Sequence, residues 1–112
     1  MNLKMNMQVS YGVGHVVANT VQEFLKKGIG EVVLKVILAP KFGSGEPGLA
    51  YGFFYRDPNG DYYDILQQQG GLKTISNTER AVHYMLSLNP KLTEVTVPVL
   101  NEENLLQAGG LR

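Results

Sequence analysis

Apolar and polar residues alternate at the start of the chain, where Leu3, Met5, Met7, Val9 and Tyr11 interleave with Lys4, Asn6, Gln8 and Ser10. A period of two predicts a half-buried strand over residues 3–11. Gly12-Val13-Gly14 interrupts it. From about His15 to Lys27 the period lengthens, and Val17, Val21, Phe24 and Leu25 fall at helical spacing. Lys26 and Lys27 suit the negative end of that helix, and Gly28 supplies a left-handed cap. Val16, Val17, Thr20 and Val21 are β-branched, so packing rather than propensity must hold the first half. Residues 31–39 (EVVLKVILA) are apolar on both alternating faces, the pattern of a central strand covered on both sides. Pro40 ends that run, and residues 41–48 (KFGSGEPG) read as a mobile loop.

Residues 48–69 (GLAYGFFYRDPNGDYYDILQQQ) organise the rest of the chain. Two aromatic-rich runs are joined by Asp57-Pro58-Asn59-Gly60, in which Pro58 presets φ for a type I corner and Gly60 takes the left-handed conformation. With Asp57 and Asp61 flanking the loop, Tyr55 faces Tyr63, Phe53 faces Ile65 and Tyr51 faces Gln67 on one side. Arg56 with Tyr62, Phe54 with Asp64, and Gly52 with Leu66 lie on the other. Gly70-Gly71 breaks the second run, and Ser76-Asn77-Thr78-Glu79 offers a capping box for a helix over about residues 77–88. Its inner stripe is Ala81, Val82, Met85, Leu86 and Leu88, which leaves Arg80, His83 and Ser87 outward. Residues 94–99 predict a last strand, placed at an edge by Pro98. Asn101 caps a short helix through about residue 107, and residues 108–112 form a loose tail. The order is β-α-β-β-β-α-β. It predicts an α+β two-layer sandwich, with one mainly antiparallel mixed sheet and both helices on one face, as a single domain over residues 1–112.

Composition narrows the function classes. With 112 residues, 44% apolar and 18% charged, the chain can bury roughly 65% of its unfolded surface without staples. Ten basic residues balance ten acidic ones, so no long-range field favours nucleic acid, anionic lipid or an acidic substrate. The absence of cysteine removes disulfides, thiolate chemistry and cysteine metal sites. No apolar run is long enough to span a membrane, and the alternating N-terminus is not a signal peptide. A cytoplasmic protein without a membrane partner is expected.

Gly12-Val13-Gly14, between a strand and a helix, could hold a phosphate on its backbone amides, although Val17 stands where the dinucleotide fingerprint wants glycine. His15 and His83 fall on outer helix faces with no third ligand in spacing, so no metal site and no cofactor are predicted. Asp57 and Asp61 are explained by the turn, and Asp64 lies diagonally from Arg56 as an ion-pair candidate. The hairpin's second face carries the stronger lead. If both helices cover Phe53, Tyr55, Tyr63 and Ile65, then Phe54, Arg56, Tyr62 and Asp64 face away, with Lys35 and Ile37 beside them. An exposed face of this kind suits self-association or another protein, because aromatics and Arg are enriched at interfaces. Base stacking with Arg56 on phosphate is the nucleic-acid version, which neutral charge disfavours. On the residues alone the chain reads as a non-enzymatic binding or regulatory protein.

Two partial resemblances add alternatives. Residues 3–69 run β-α-β-β-β, and FYRDPNGDYYDIL resembles the closing strand of a glyoxalase or bleomycin-resistance module. That resemblance implies a small-ligand or metal-binding enzyme module completed by a partner chain. The family's metal-binding glutamate would fall at Asp64, and Gln8 would stand in for its first-strand histidine. Residues 72–100 add a helix and strand that this family pattern lacks. Residues 15–88 run α-β-β-β-α, an order similar to a double-stranded-RNA-binding domain. Here that family's lysine-rich start of the second helix is replaced by Thr74-Ile75-Ser76-Asn77-Thr78-Glu79.

Overall fold

The computed structural model describes residues 11–40, 46–107 and 111. The described residues form an α+β fold of five strands and two helices. In order these are β1 (Gly14–Val17), α1 (Ala18–Lys26), β2 (Glu31–Pro40), β3 (Pro47–Arg56), β4 (Tyr62–Leu66), β5 (Thr74–Ile75) and α2 (Thr78–Leu88), followed by a 3₁₀ turn at Glu102–Asn104. The sheet order is β1-β4-β3-β2, with β5 also pairing β3. β1 runs parallel to β4, and every other pairing is antiparallel.

The turn chemistry of Asp57-Pro58-Asn59-Gly60 sets the hairpin. Gly60 sits at φ 90° and its N–H donates to Asp57 O at 2.9 Å. Asp57 Oδ1 accepts from the N–H groups of Asn59 (2.9 Å) and Asp61 (3.0 Å), closing the loop from inside. Arg56, Tyr55 and Phe54 then pair with Tyr62, Tyr63 and Asp64, the predicted register. Further on the ladder departs from prediction. Phe53 N–H donates to Lys73 O and Lys73 N–H to Ile65 O, so Lys73 wedges between the strands. Tyr51 and Gly52 pair with Ile75 and Thr74 rather than with Gln67 and Leu66. The turn at Gly70-Gly71 folds the chain back and lets β5 take those ladder positions.

Both helices lie on one face of the sheet. Val21 from α1 and Ala81, Met85 and Leu88 from α2 pack against Leu34, Val36, Tyr51, Phe53, Tyr55 and Ile65. Phe24 stacks on Tyr55 at 5.5 Å, and Tyr84 meets Phe53 edge-on at 4.8 Å. The cap of α2 is Asn77, one residue after the Ser76 that opens the expected capping box; its side chain accepts from Arg80 N–H at 2.9 Å. Val82 and Leu86, placed on the inner stripe, are only partly buried.

Several expectations are corrected. The helix predicted from His15 begins at Ala18, and Gly14–Val17 is instead β1. The β-branched Val16 and Val17 take the extended backbone they favour and pair with β4. β2 lies at one end of the sheet, not at its centre, although its pattern of burial on both faces is real. Pro47 and Gly48, read as loop, open β3. Residues 94–99 join no ladder. Instead Val95 and Val97 pack against the helix-side core, and Tyr51 Oη donates to Pro98 O at 2.8 Å. The short terminal helix is only the 3₁₀ turn, with Asn101 as its cap. Just beyond it Leu105 bridges Val36, and Leu106 N–H donates to Val36 O at 2.8 Å. Leu111 is buried, and the remainder of the predicted tail lies outside the described residues. The strand predicted over residues 3–11, and residues 41–45 of the predicted loop, also lie outside them, apart from Tyr11.

Candidate functional site

The sheet face opposite the helices was expected to be open around Phe54, Arg56, Tyr62, Asp64 and Lys35. Alternation places these side chains together, with Phe54 beside Asp64 and Arg56 beside Tyr62 across the hairpin. Exposure divides them. Phe54 is 0% exposed and Asp64 2%, so the centre of this outward face is dry and the expected exposure of both is corrected. Tyr62 and Lys35 are half-buried, and only Arg56 is exposed.

The cover at the centre begins with Tyr11, whose ring meets Phe54 edge-on at 6.0 Å. Asp64 holds that segment in place. Its Oδ1 accepts from Gly12 N–H at 2.7 Å and its Oδ2 from Tyr11 N–H at 3.1 Å. Gly12 lies so close to Tyr62 O that a Cβ there would strike the carbonyl. Burial raises the Tyr11 hydroxyl above the ordinary tyrosine range, with the Asp64 charge adding to the shift. The amides suspected of holding a phosphate therefore begin a turn that binds the protein's own carboxylate. Asp64 makes no ion pair with Arg56, whose Nη1 lies 3.3 Å from Glu31 Oε2 instead. Arg56 Cζ also stands 5.8 Å above the Tyr62 ring.

The rim of the outward face is wetter and still apolar. Val13, His15 and Val17 alternate along β1 and its approach, in line with Tyr62, Asp64 and Leu66 of β4. Val13 is 54% and Val17 52% exposed. The sequence pattern conceals both, because Val13 reads as part of a glycine break and Val17 as part of a helix.

A separate apolar cavity of about 350 Å³ opens where β1, α1 and the hairpin turn meet, lined among others by His15, Phe24, Tyr55, Asp57 and Tyr63. Tyr63 Oη donates to Asp57 Oδ2 at 3.3 Å and Tyr55 Oη to Ile29 O at 2.8 Å. Burial, followed by the Asp57 charge, pushes both hydroxyls up, so they remain donors across the neutral range. His15 was expected on an outer helix face, yet it belongs to β1 and borders this cavity. The predicted aromatic pairing of Tyr55 with Tyr63 was a legible signal for it. Among the described residues no group of three His, Asp or Glu could hold a metal ion. Both Asp64 oxygens already accept backbone N–H groups, and Gln8 lies outside the described residues. Among the described residues no helix is long and apolar enough to cross a membrane.

The chain matches no protein-family model, no curated protein and no solved structure.

Proposed function

We propose that the protein is a non-enzymatic binding or regulatory protein of the cytoplasm that acts by association, chiefly with a second copy of itself. The observation that carries this reading is the composition of the outward rim. Val13 and Val17, each more than half exposed, stand in line with the half-buried Tyr62, and Arg56 covers its ring. Apolar, Tyr and Arg side chains gathered around a dry centre are the make-up of a protein interface. Sedimentation equilibrium tests the reading. A species of two chains should appear at micromolar concentration, and a monomer up to about 1 mM, where binding is worth only about 4 kcal/mol, would remove it.

A second reading, a small-ligand or metal-binding module of the glyoxalase kind, is favoured by two observations. The β-α-β-β-β order is present from β1 to β4, and the cavity beside His15, Asp57 and Tyr63 is apolar with a few convergent polar groups. Metal analysis of protein purified without chelator separates the two. The second reading requires about one divalent ion per site, and the first requires none. The nucleic-acid reading is the weakest, since Arg56, its phosphate contact, is engaged by Glu31.

A further inference from the structure

Among the described residues β2 is one edge of the sheet, and its backbone is only partly covered. In the antiparallel pairing of β2 with β3, Val33, Lys35 and Ile37 sit opposite Phe54, Gly52 and Ala50. Phe53 N–H points to Lys73 on the far side of β3, so the even-numbered residues of β3 are those that bond β2. Val33, Lys35 and Ile37 therefore turn their backbone groups inward, and Val32, Leu34 and Val36 turn theirs outward. Val36 is taken by the bridge to Leu105 and the bond from Leu106. Val32 and Leu34 find no backbone partner on that side among the described residues. A groove of about 420 Å³ runs beside them, bounded by Thr96, Pro98 and Asn104. An unpaired edge of this kind is a template for another strand.

We infer that this edge pairs with β2 of a second copy, antiparallel and centred on Val33, so that two sheets join into one. Three observations select that occupant and register. The bridge at Leu105 excludes centres closer to Pro40. The strand begins at Glu31, which makes Val33 the midpoint of the uncovered stretch. Of the symmetric registers, only the one centred on Val33 sets Glu31 of each copy opposite Lys35 of the other, on the outward face, at cross-strand distance. Val32 then exchanges a pair of main-chain hydrogen bonds with Leu34 of the other copy, and the reverse. The two-fold axis runs through the sheet, so both outward rims, with Val13, Val17 and Tyr62, face the same side.

The proposal rests on the self-association reading, and its test separates the two. Lys35→Glu places like charges opposite each other and should weaken the dimer on the order of tenfold in sedimentation. The double variant Glu31→Lys with Lys35→Glu should restore it. Val32→Pro removes an outward N–H without touching the β3 ladder and should abolish the dimer while the circular dichroism spectrum is kept. Amide exchange at Val32 and Leu34 should slow as protein concentration rises. A dimer unmoved by Lys35→Glu and Val32→Pro, but lost in Val17→Ser with Tyr62→Ala, would overturn the edge pairing and keep self-association through the rim. A chain monomeric throughout would overturn both. Slow exchange at Val32 and Leu34 independent of concentration would show that the chain covers its own edge, and would overturn the pairing alone.

Discussion

Phe53 and Phe54 are consecutive in β3 and both fully buried, yet one lies beneath two helices and the other on the outward face, against Tyr11. On the helix side the cover is apolar on apolar: Val21, Ala81, Met85 and Leu88 over Phe53, Tyr55 and Ile65. That attraction is non-directional and roughly proportional to area, so it tolerates volume-conserving swaps. On the outward side, Tyr11 and Gly12 are held by hydrogen bonds to the Asp64 carboxylate, and Gly12 can approach only because it has no Cβ. Directional cover fails when one atom is wrong. One strand thus supports two ways of keeping a sheet dry, with different mutational tolerance.

The largest expected effect is on the helix side. Phe53→Ala should cost about 3–5 kcal/mol in urea unfolding, since many side chains surround the cavity it leaves. Phe54→Ala should cost less, because the Tyr11 segment that its ring meets can settle into the gap. A loss at Phe54 equal to or above that at Phe53 would break the distinction drawn above. Next comes the clasp. Asp64→Ala removes the carboxylate that accepts from the N–H groups of Tyr11 and Gly12 and should cost about 2–3 kcal/mol, with exchange of the Gly12 amide accelerated. Asp64→Asn keeps one acceptor oxygen and should recover part of that loss. If both variants melt like the parent, the outward cover is held by packing alone. Gly60→Val should cost about 1 kcal/mol or more, because a β-branched residue resists the φ of 90° there. It should destabilise the two faces together, since the turn positions both.

The smallest effect is alkaline. Tyr11, Tyr55, Tyr63 and Tyr84 are all held above the ordinary tyrosine range of about 10, with burial the first cause in each. The unfolded chain therefore releases these protons first. Their contribution is fully present below about pH 10 and is lost as pH rises through the higher folded values. Tyr11→Phe should make stability fall less steeply above pH 10 if the outward cover takes part, and an unchanged slope would assign the effect to the helix side.

The hairpin was legible because its information is local. Asp57, Pro58 and Gly60 specify a turn, and the turn specifies which residues face each other. α2 was legible for the same reason, through the cap signal at residues 76–79, realised one residue later at Asn77, and a periodic stripe. What the sequence concealed depends on contacts across the chain. His15, Val16 and Val17 look helical in isolation and become a strand only because β4 offers a free edge forty-odd residues later. Residues 94–99 have strand composition, but Val95 and Val97 are used in packing on the helix-side core and the segment joins no ladder. Phe54 could be assigned to the outward face and not to its burial, because the carboxylate that secures its cover was read as a partner for Arg56.

The parallel pairing of β1 with β4 also sets an order of events in time. β2, β3 and β4 can form from neighbouring chain, whereas Gly14 must wait for Tyr63, a separation of 63 − 14 = 49 residues. Loop-closure entropy is paid before such a contact rewards it. The hairpin sheet is therefore expected to collapse first, with β1 and the Tyr11 turn docking afterwards onto an Asp64 already in place. Removing the clasp should then leave the folding rate nearly unchanged and appear almost entirely as faster unfolding.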